Sequence, residues 1–269
     1  MIERILGIDF SGAESAGKSI WISEAHLDGR RVHIEGCRSA AELPGSGPSR
    51  TQCLPVLVEH VGAQRCAVVG CDFPFSLPAI MIDAADWRTF ALGFGERFER
   101  ADDFLGDCRR RAFGRELKRA CDSESRVPFS AYNLRIYRQT FHGIRDFLAP
   151  LLRGSRAVVL PMEQPDGPRP WIVETCPAST LKHADLYPSY KGPGAAARDA
   201  RATIINGLVG RRLIAPLSSA IRRLALDNTG GDALDSIIAA AATGRAYLTG
   251  QFSPRGCAGQ ERIEGRVYF

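Results

Sequence analysis

The chain has 269 residues, with 35 Lys and Arg against 30 Asp and Glu and a formal charge of +5. At 45% hydrophobic and 24% charged it has the composition of an ordinary folded protein, which excludes a disordered chain and, by its length, a small disulfide-held scaffold. The basic residues are 31 Arg and 4 Lys, and so mild an excess permits a nucleic-acid partner without arguing for one.

No run of about 18 apolar residues occurs, so no membrane partner is expected. The N-terminus carries charges where a secretion signal needs an apolar run. The 8 cysteines (37, 53, 66, 71, 108, 121, 176 and 257) include no CxxC pair. They read as reduced, mostly buried thiols of a cytoplasmic protein, and neither Cys nor His shows zinc-ligand spacing.

Residues 4–10 form an apolar run that reaches Asp9, the pattern of a buried strand. Residues 11–17 are a small-residue turn. Residues 19–27 are β-branched and aromatic, Asp28-Gly29 signals a tight hairpin, and residues 31–36 alternate again. A loop comes next, then a helix over 51–61 with Gly62 as its stop. Residues 66–72 repeat the opening pattern, an apolar strand ending in Asp72.

The stretch from 73 to 126 is less regular. It holds Arg109, Arg110, Arg111, Arg115, Lys118 and Arg119, diluted by Glu99, Asp102, Asp103, Asp107 and Glu116, and reads as a solvated helix face. Tyr137, Phe141, Ile144, Leu148 and Leu151 space out a helix ending at Gly154. Strands are expected over 157–160 and 171–175, joined by the turn Pro165-Asp166-Gly167-Pro168. Helices are expected near 198–209, 218–226 and 232–247.

Two patterns compete for the chemistry. Gly12 to Ser19 matches the phosphate-loop pattern GxxxxGK[ST] and comes directly after a strand. That motif requires a helix starting at Lys18-Ser19 to supply amides and dipole. The next residues are Ile20-Trp21-Ile22 and then a hairpin, which is strand chemistry, so a plain turn is the preferred reading. The second pattern is a set of acids: Asp9 and Asp72 at strand ends, and Glu174 inside an apolar strand. A buried charge is costly unless paired or metal-bound, and three such acids argue for function. Asp232 and Asp235, three apart, share one face of the late helix, although a cap and a first-turn acid would look the same.

An acid in the first strand, a β-hairpin, a helix, an acid after the fourth strand and acids on a late helix resemble, in that order, the RNase H-like superfamily. More closely, Gly7-Ile8-Asp9-Phe10-Ser11-Gly12, Cys71-Asp72-Phe73-Pro74-Phe75, Val173-Glu174-Thr175-Cys176-Pro177, Tyr190-Lys191, Gly231-Asp232-Ala233-Leu234-Asp235 and Glu264-Gly265-Arg266-Val267-Tyr268 resemble the family known as domain of unknown function 429, predicted RNase H-like nucleases. The resemblance spans nearly the whole chain. It implies one α/β domain over 1–269 with an RNase H-like core: a mixed sheet of the five-stranded type, its first three strands antiparallel, helices on both faces, and a helical insertion at about 76–156.

It further implies a metal-dependent nuclease that hydrolyses DNA or RNA with two Mg²⁺ or Mn²⁺ ions, one activating water and one stabilising the leaving oxygen. Asp9, Asp72 and Asp235 would ligate the metals, and Glu174 and Asp232 would assist as further ligands or as a base. Ser11, Lys191, Arg135 and Arg138 are candidates for substrate phosphates. The rivals are a nucleotide-binding ATPase or kinase, of phosphate-loop or actin-like type, and a non-catalytic binding protein that keeps the fold.

Overall fold

The chain opens with three strands, as its patterning predicts. Arg4–Asp9 (β1) leads through one helical turn, Ala16–Ser19 (α1), into the hairpin of Trp21–Asp28 (β2) and Arg31–Ser39 (β3). The computed structural model describes residues 2–252 and 259–269, so Cys257 lies outside the described residues. The hairpin pairs Asp28 with Arg31, which puts its tip at Gly29-Arg30, one residue beyond the expected position. Gly29 takes the positive φ (+60°) that such a turn demands.

Arg50–Gly62 (α2) then leads to Ala67–Asp72 (β4). Trp87–Arg97 (α3), Ala101–Arg111 (α4) and Ala120–Glu124 (α5) come after it. Where one helix is expected, Tyr137–His142 (α6) passes through a π-helical stretch, Gly143–Leu148, into Ala149–Arg153 (α7). Val158–Leu160 (β5) and Trp171–Thr175 (β6) pair in parallel, so residues 161–170 run back along the strand rather than turning tightly. The rest is Pro177–His183 (α8), Ala195–Gly210 (α9), Ser219–Asp227 (α10), Asp232–Leu248 (α11), Glu261–Glu264 (α12) and Val267–Tyr268 (β7).

The sheet runs β3-β2-β1-β4-β6-β5, with β7 also paired to β6. The three opening strands are antiparallel, and β1, β4, β6, β5 and β7 are parallel. The protein is thus α/β with a mixed sheet. Because side chains alternate along a strand, each strand feeds two cores. Leu6, Ile8, Val69 and Cys71 face α2 and the helices of the middle segment, packing with Leu57, Phe104 and Phe141. Ile5, Val68 and Val173 face α11, packing with Leu234, Ile237 and Ile238. Almost all of α11 is buried, which fits its apolar circumference.

On the α11 side, β1 and β4 carry the same spacing: Ile5, Gly7, Asp9 and Val68, Gly70, Asp72. A Cβ on Gly7 would lie 2.1 Å from the Ser236 carbonyl oxygen, and one on Gly70 would lie 1.9 Å from Thr243 Oγ1. These two bare positions let α11 settle against the sheet more closely than any side chain would permit. No helix among the described residues is long and apolar enough to cross a membrane. The seven described cysteines are free thiols.

Candidate functional site

Asp9 and Asp72 are register partners at the carboxyl ends of neighbouring parallel strands, so they leave the sheet side by side on the α11 face. Asp232 starts α11 and Asp235 lies one turn further on. Asp9 and Asp235 are buried, and Asp72 and Asp232 are half-buried.

These carboxylates act on one another. Burial holds the Asp9 carboxyl well above its usual range, and the charges of Asp235 and Asp72 push it further against the pull of Lys191. Burial, then the Asp235 charge, push Asp72 up to about 8. Asp232 and Asp235 are also raised by burial, with Lys191 opposing. A carboxyl that loses water and faces other carboxylates keeps its proton unless a cation takes the proton's place.

Asp235 is held from both sides. The Tyr190 hydroxyl donates to Oδ1 at 2.6 Å, and Lys191 Nζ stands 2.7 Å from Oδ2. Burial opposes the charge on Lys191, but the Asp235 and Asp9 carboxylates outweigh it and keep the ammonium above its ordinary range. The segment carrying both residues is anchored by buried Arg201, whose Nη1 donates to the Tyr190 carbonyl at 2.6 Å and whose Nε donates to that of Leu226 at 2.9 Å. On the sheet side, Gln139 Nε2 donates to the backbone carbonyl of Asp72.

In front of the acids lies a cavity of about 520 Å³, lined by Asp9, Asp72, Asp235, Ser11, Arg135 and Lys191 among others, including Asp232. Arg138, read from the sequence as a phosphate contact, is absent from that lining. Its guanidinium lies 4.9 Å from the Tyr137 ring centroid and 3.7 Å from Asp102.

Glu174, expected as a further ligand or base, also lines this cavity, but its carboxylate is already paired. Its register partner on β4 is Cys71, so its side chain leaves the sheet on the face opposite Asp9 and Asp72. There buried Arg119 grips it with both terminal nitrogens, and the Phe75 amide donates to Oε2 at 2.9 Å. Asp122 takes the rest of the Arg119 fork, with Nη2 2.7 Å from Oδ1. The expected solvated face therefore needs correction at Arg119, which is buried, while Arg110 and Arg111 do pair with acids at the surface.

The phosphate-loop reading also finds no support in the local geometry. A strand, β2, succeeds Lys18-Ser19 after a single helical turn. The Gly17 amide donates to the Pro48 carbonyl and that of Lys18 to Ser15, so neither is free to hold phosphate. Gly12 is required because a Cβ there would lie 2.3 Å from the Arg138 backbone. Small residues at these positions serve packing.

Among the described residues, no group of three or more His, Cys, Asp and Glu side chains stands in metal-holding geometry. The donor chemistry nevertheless suits a hard divalent cation: all-oxygen, mutually repelling, and drawn from two strands and a helix. Lys191 draws the Asp9 carboxyl down, against the carboxylates of Asp235, Asp72 and Asp232.

No protein-family model, no curated protein and no solved structure matches the chain. The site thus stands on its geometry. No sequence signal marks Gln139 or Arg201, Arg119 reads as part of a solvated helix face, and Tyr190 stands out through the resemblance.

Proposed function

We propose that this protein is an RNase H-like, metal-dependent nuclease that hydrolyses phosphodiester bonds of nucleic acid. One observation carries the reading: Asp9, Asp72 and Asp235, brought from two adjacent parallel strands and a helix, crowd one another behind a cavity that also holds Lys191 and Arg135. The sheet order, with a β2–β3 hairpin beside β1 and β4 parallel on its other side, supports an RNase H-like core, and the segment between β4 and β5 supplies the helical insertion. Free thiols suit a reducing cytoplasm.

Asp9, Asp72 and Asp235 are the residues that would hold Mg²⁺ or Mn²⁺. A bound ion would supply Lewis acidity to the attacking water and the leaving oxygen. The remaining work falls to the chain. Tyr190 and Lys191 orient Asp235, and Arg135 and Lys191 offer positive charge to a phosphate entering the cavity. Asp232, half-buried in the cavity lining, would assist as a further ligand or as a base positioning water.

The test is cleavage of labelled DNA and RNA by purified protein with Mn²⁺ or Mg²⁺. The wild type is expected to cut at least one of them and the Asp9→Asn variant neither. Undiminished cutting by that variant would overturn the reading. Absence of Mn²⁺ binding by calorimetry would favour a non-catalytic binding protein instead.

A further inference from the structure

A second cavity, of about 640 Å³, opens at the far end of the molecule. Its lining includes Arg30 and Arg31 from the β2–β3 tip, Arg211 and Arg212 from the end of α9, and Arg245 from the last turn of α11. Asp28 is the only acid in the lining, and His33 stands 3.7 Å from it. β2 starts opposite Asp9 and runs away from it, so the cavity lies beyond the other end of the sheet. Along α11, Asp235 and Arg245 are ten residues apart, about 15 Å at ~1.5 Å per residue.

These arginines differ from the many in the chain that pair with an acid. Arg88, Arg97, Arg110, Arg111, Arg119, Arg156 and Arg198, for example, each pair with an acid. None of the five at this cavity forms an ion pair among the described residues. Attraction to helix C-termini accounts for Arg211 and Arg245, which cap or end helices. It does not account for Arg30 and Arg31 on a hairpin tip. Arg212 adds a separate observation. It stands just past the end of α9 at φ +60°, a left-handed position where glycine is the usual residue, and the Leu213 amide closes the turn onto the Leu208 carbonyl. An arginine stands where the backbone favours a residue with no side chain.

We infer that this cavity is a second anion site, separate from the carboxylate cavity, for a ligand presenting several phosphate groups close together. Arginine suits that ligand, since its planar fork meets phosphate oxygens two at a time. Three chain segments converge, and among the described residues none of their guanidiniums is ion-paired with Asp28, the one acid in the lining. The ligand is either a free polyphosphate or the backbone of a nucleic acid. The inference does not depend on the nuclease reading.

The test uses tripolyphosphate by calorimetry and a short labelled DNA duplex by anisotropy, at low salt with chelator present. Two variants are compared with the wild type: Arg30→Ala with Arg31→Ala, and Arg211→Gln with Arg212→Gly, the glycine suiting the left-handed turn. Each pair is expected to weaken binding about tenfold or more and to reduce the salt slope of duplex binding by about 2. A response to the duplex alone assigns the site to a nucleic-acid backbone, and a response to both probes assigns it to clustered phosphates in general. If neither probe binds the wild type, or if both bind the variants unchanged, the inference is wrong.

Discussion

The two ends of β2 and α11 hold charge in opposite ways. At the carboxylate end, acids are buried beside one another and the chain supplies one ammonium, Lys191. At the other end, five arginines gather around a single lining acid, Asp28, but four of the five are exposed and only Arg245 is half-buried. Water screens the second cluster, so it costs little to assemble. It cannot screen the first, where each carboxyl must keep a proton or acquire a cation. Crowded like charge is therefore a burden on the fold at one end and merely a surface property at the other.

That contrast breaks most violently at the support beneath the acid site. Arg119→Leu strands Glu174 and Asp122 without their counter-ion, and loss of one partner of a buried pair costs about 3–5 kcal/mol. Denaturant unfolding should show a loss of that size. A loss below about 1 kcal/mol, the range of exposed pairs, would mean that the network is open to water.

Next is Asp9→Asn. Removing even an outer partner of a metal ligand costs about 10- to 100-fold, so metal-dependent cleavage should fall by more than about a hundredfold. The same variant should be at least as stable as the wild type in chelator, since an amide is neutral at any pH beside the other acids. Lower stability there would mean that the acids are not crowded in solution. At the arginine end, tenfold weaker phosphate binding with unchanged stability is the corresponding expectation.

The smallest effect is that of pH. Asp72 moves from 3.8 to about 8 on folding, so the folded state keeps a proton that the unfolded chain has lost. The stability this provides is complete below about pH 4 and disappears as pH rises through about 8. In chelator, Tm should fall by a few degrees between about pH 5 and pH 8, and Mn²⁺ should restore it at the upper value. A profile that Asp72→Asn leaves unflattened would sink this account.

The sequence made the backbone of the acid site legible because its signals are local. An apolar run ending in an acid marks β1 and β4, and a three-residue spacing marks Asp232 and Asp235 on α11. Glu174 gave the same local signal, yet it lines the cavity already paired with Arg119. Its fate depends on strand register, which aligns it with Cys71, and on Arg119, 55 residues away. The parallel pairing of β5 and β6 was hidden for the same reason, since a turn-rich connection looks alike whether the chain reverses or returns. α1 and β7 are too short to show a period. The arginine cavity joins segments about 180 and 30 residues apart in sequence, none of which stands out among the scattered arginines of this chain.

The paired glycines beneath α11 carry one more consequence. They are a spacing gauge made of missing atoms: the gap between strand-borne and helix-borne carboxylates is set by two methyl groups that are not there. Gly7 and Gly70 have no side chain with which to take part in chemistry, yet an alanine at either would act as a shim and lift Asp235 away from Asp9 and Asp72. Part of the geometry of the acid site is thus written at positions that an inventory of reactive residues would pass over.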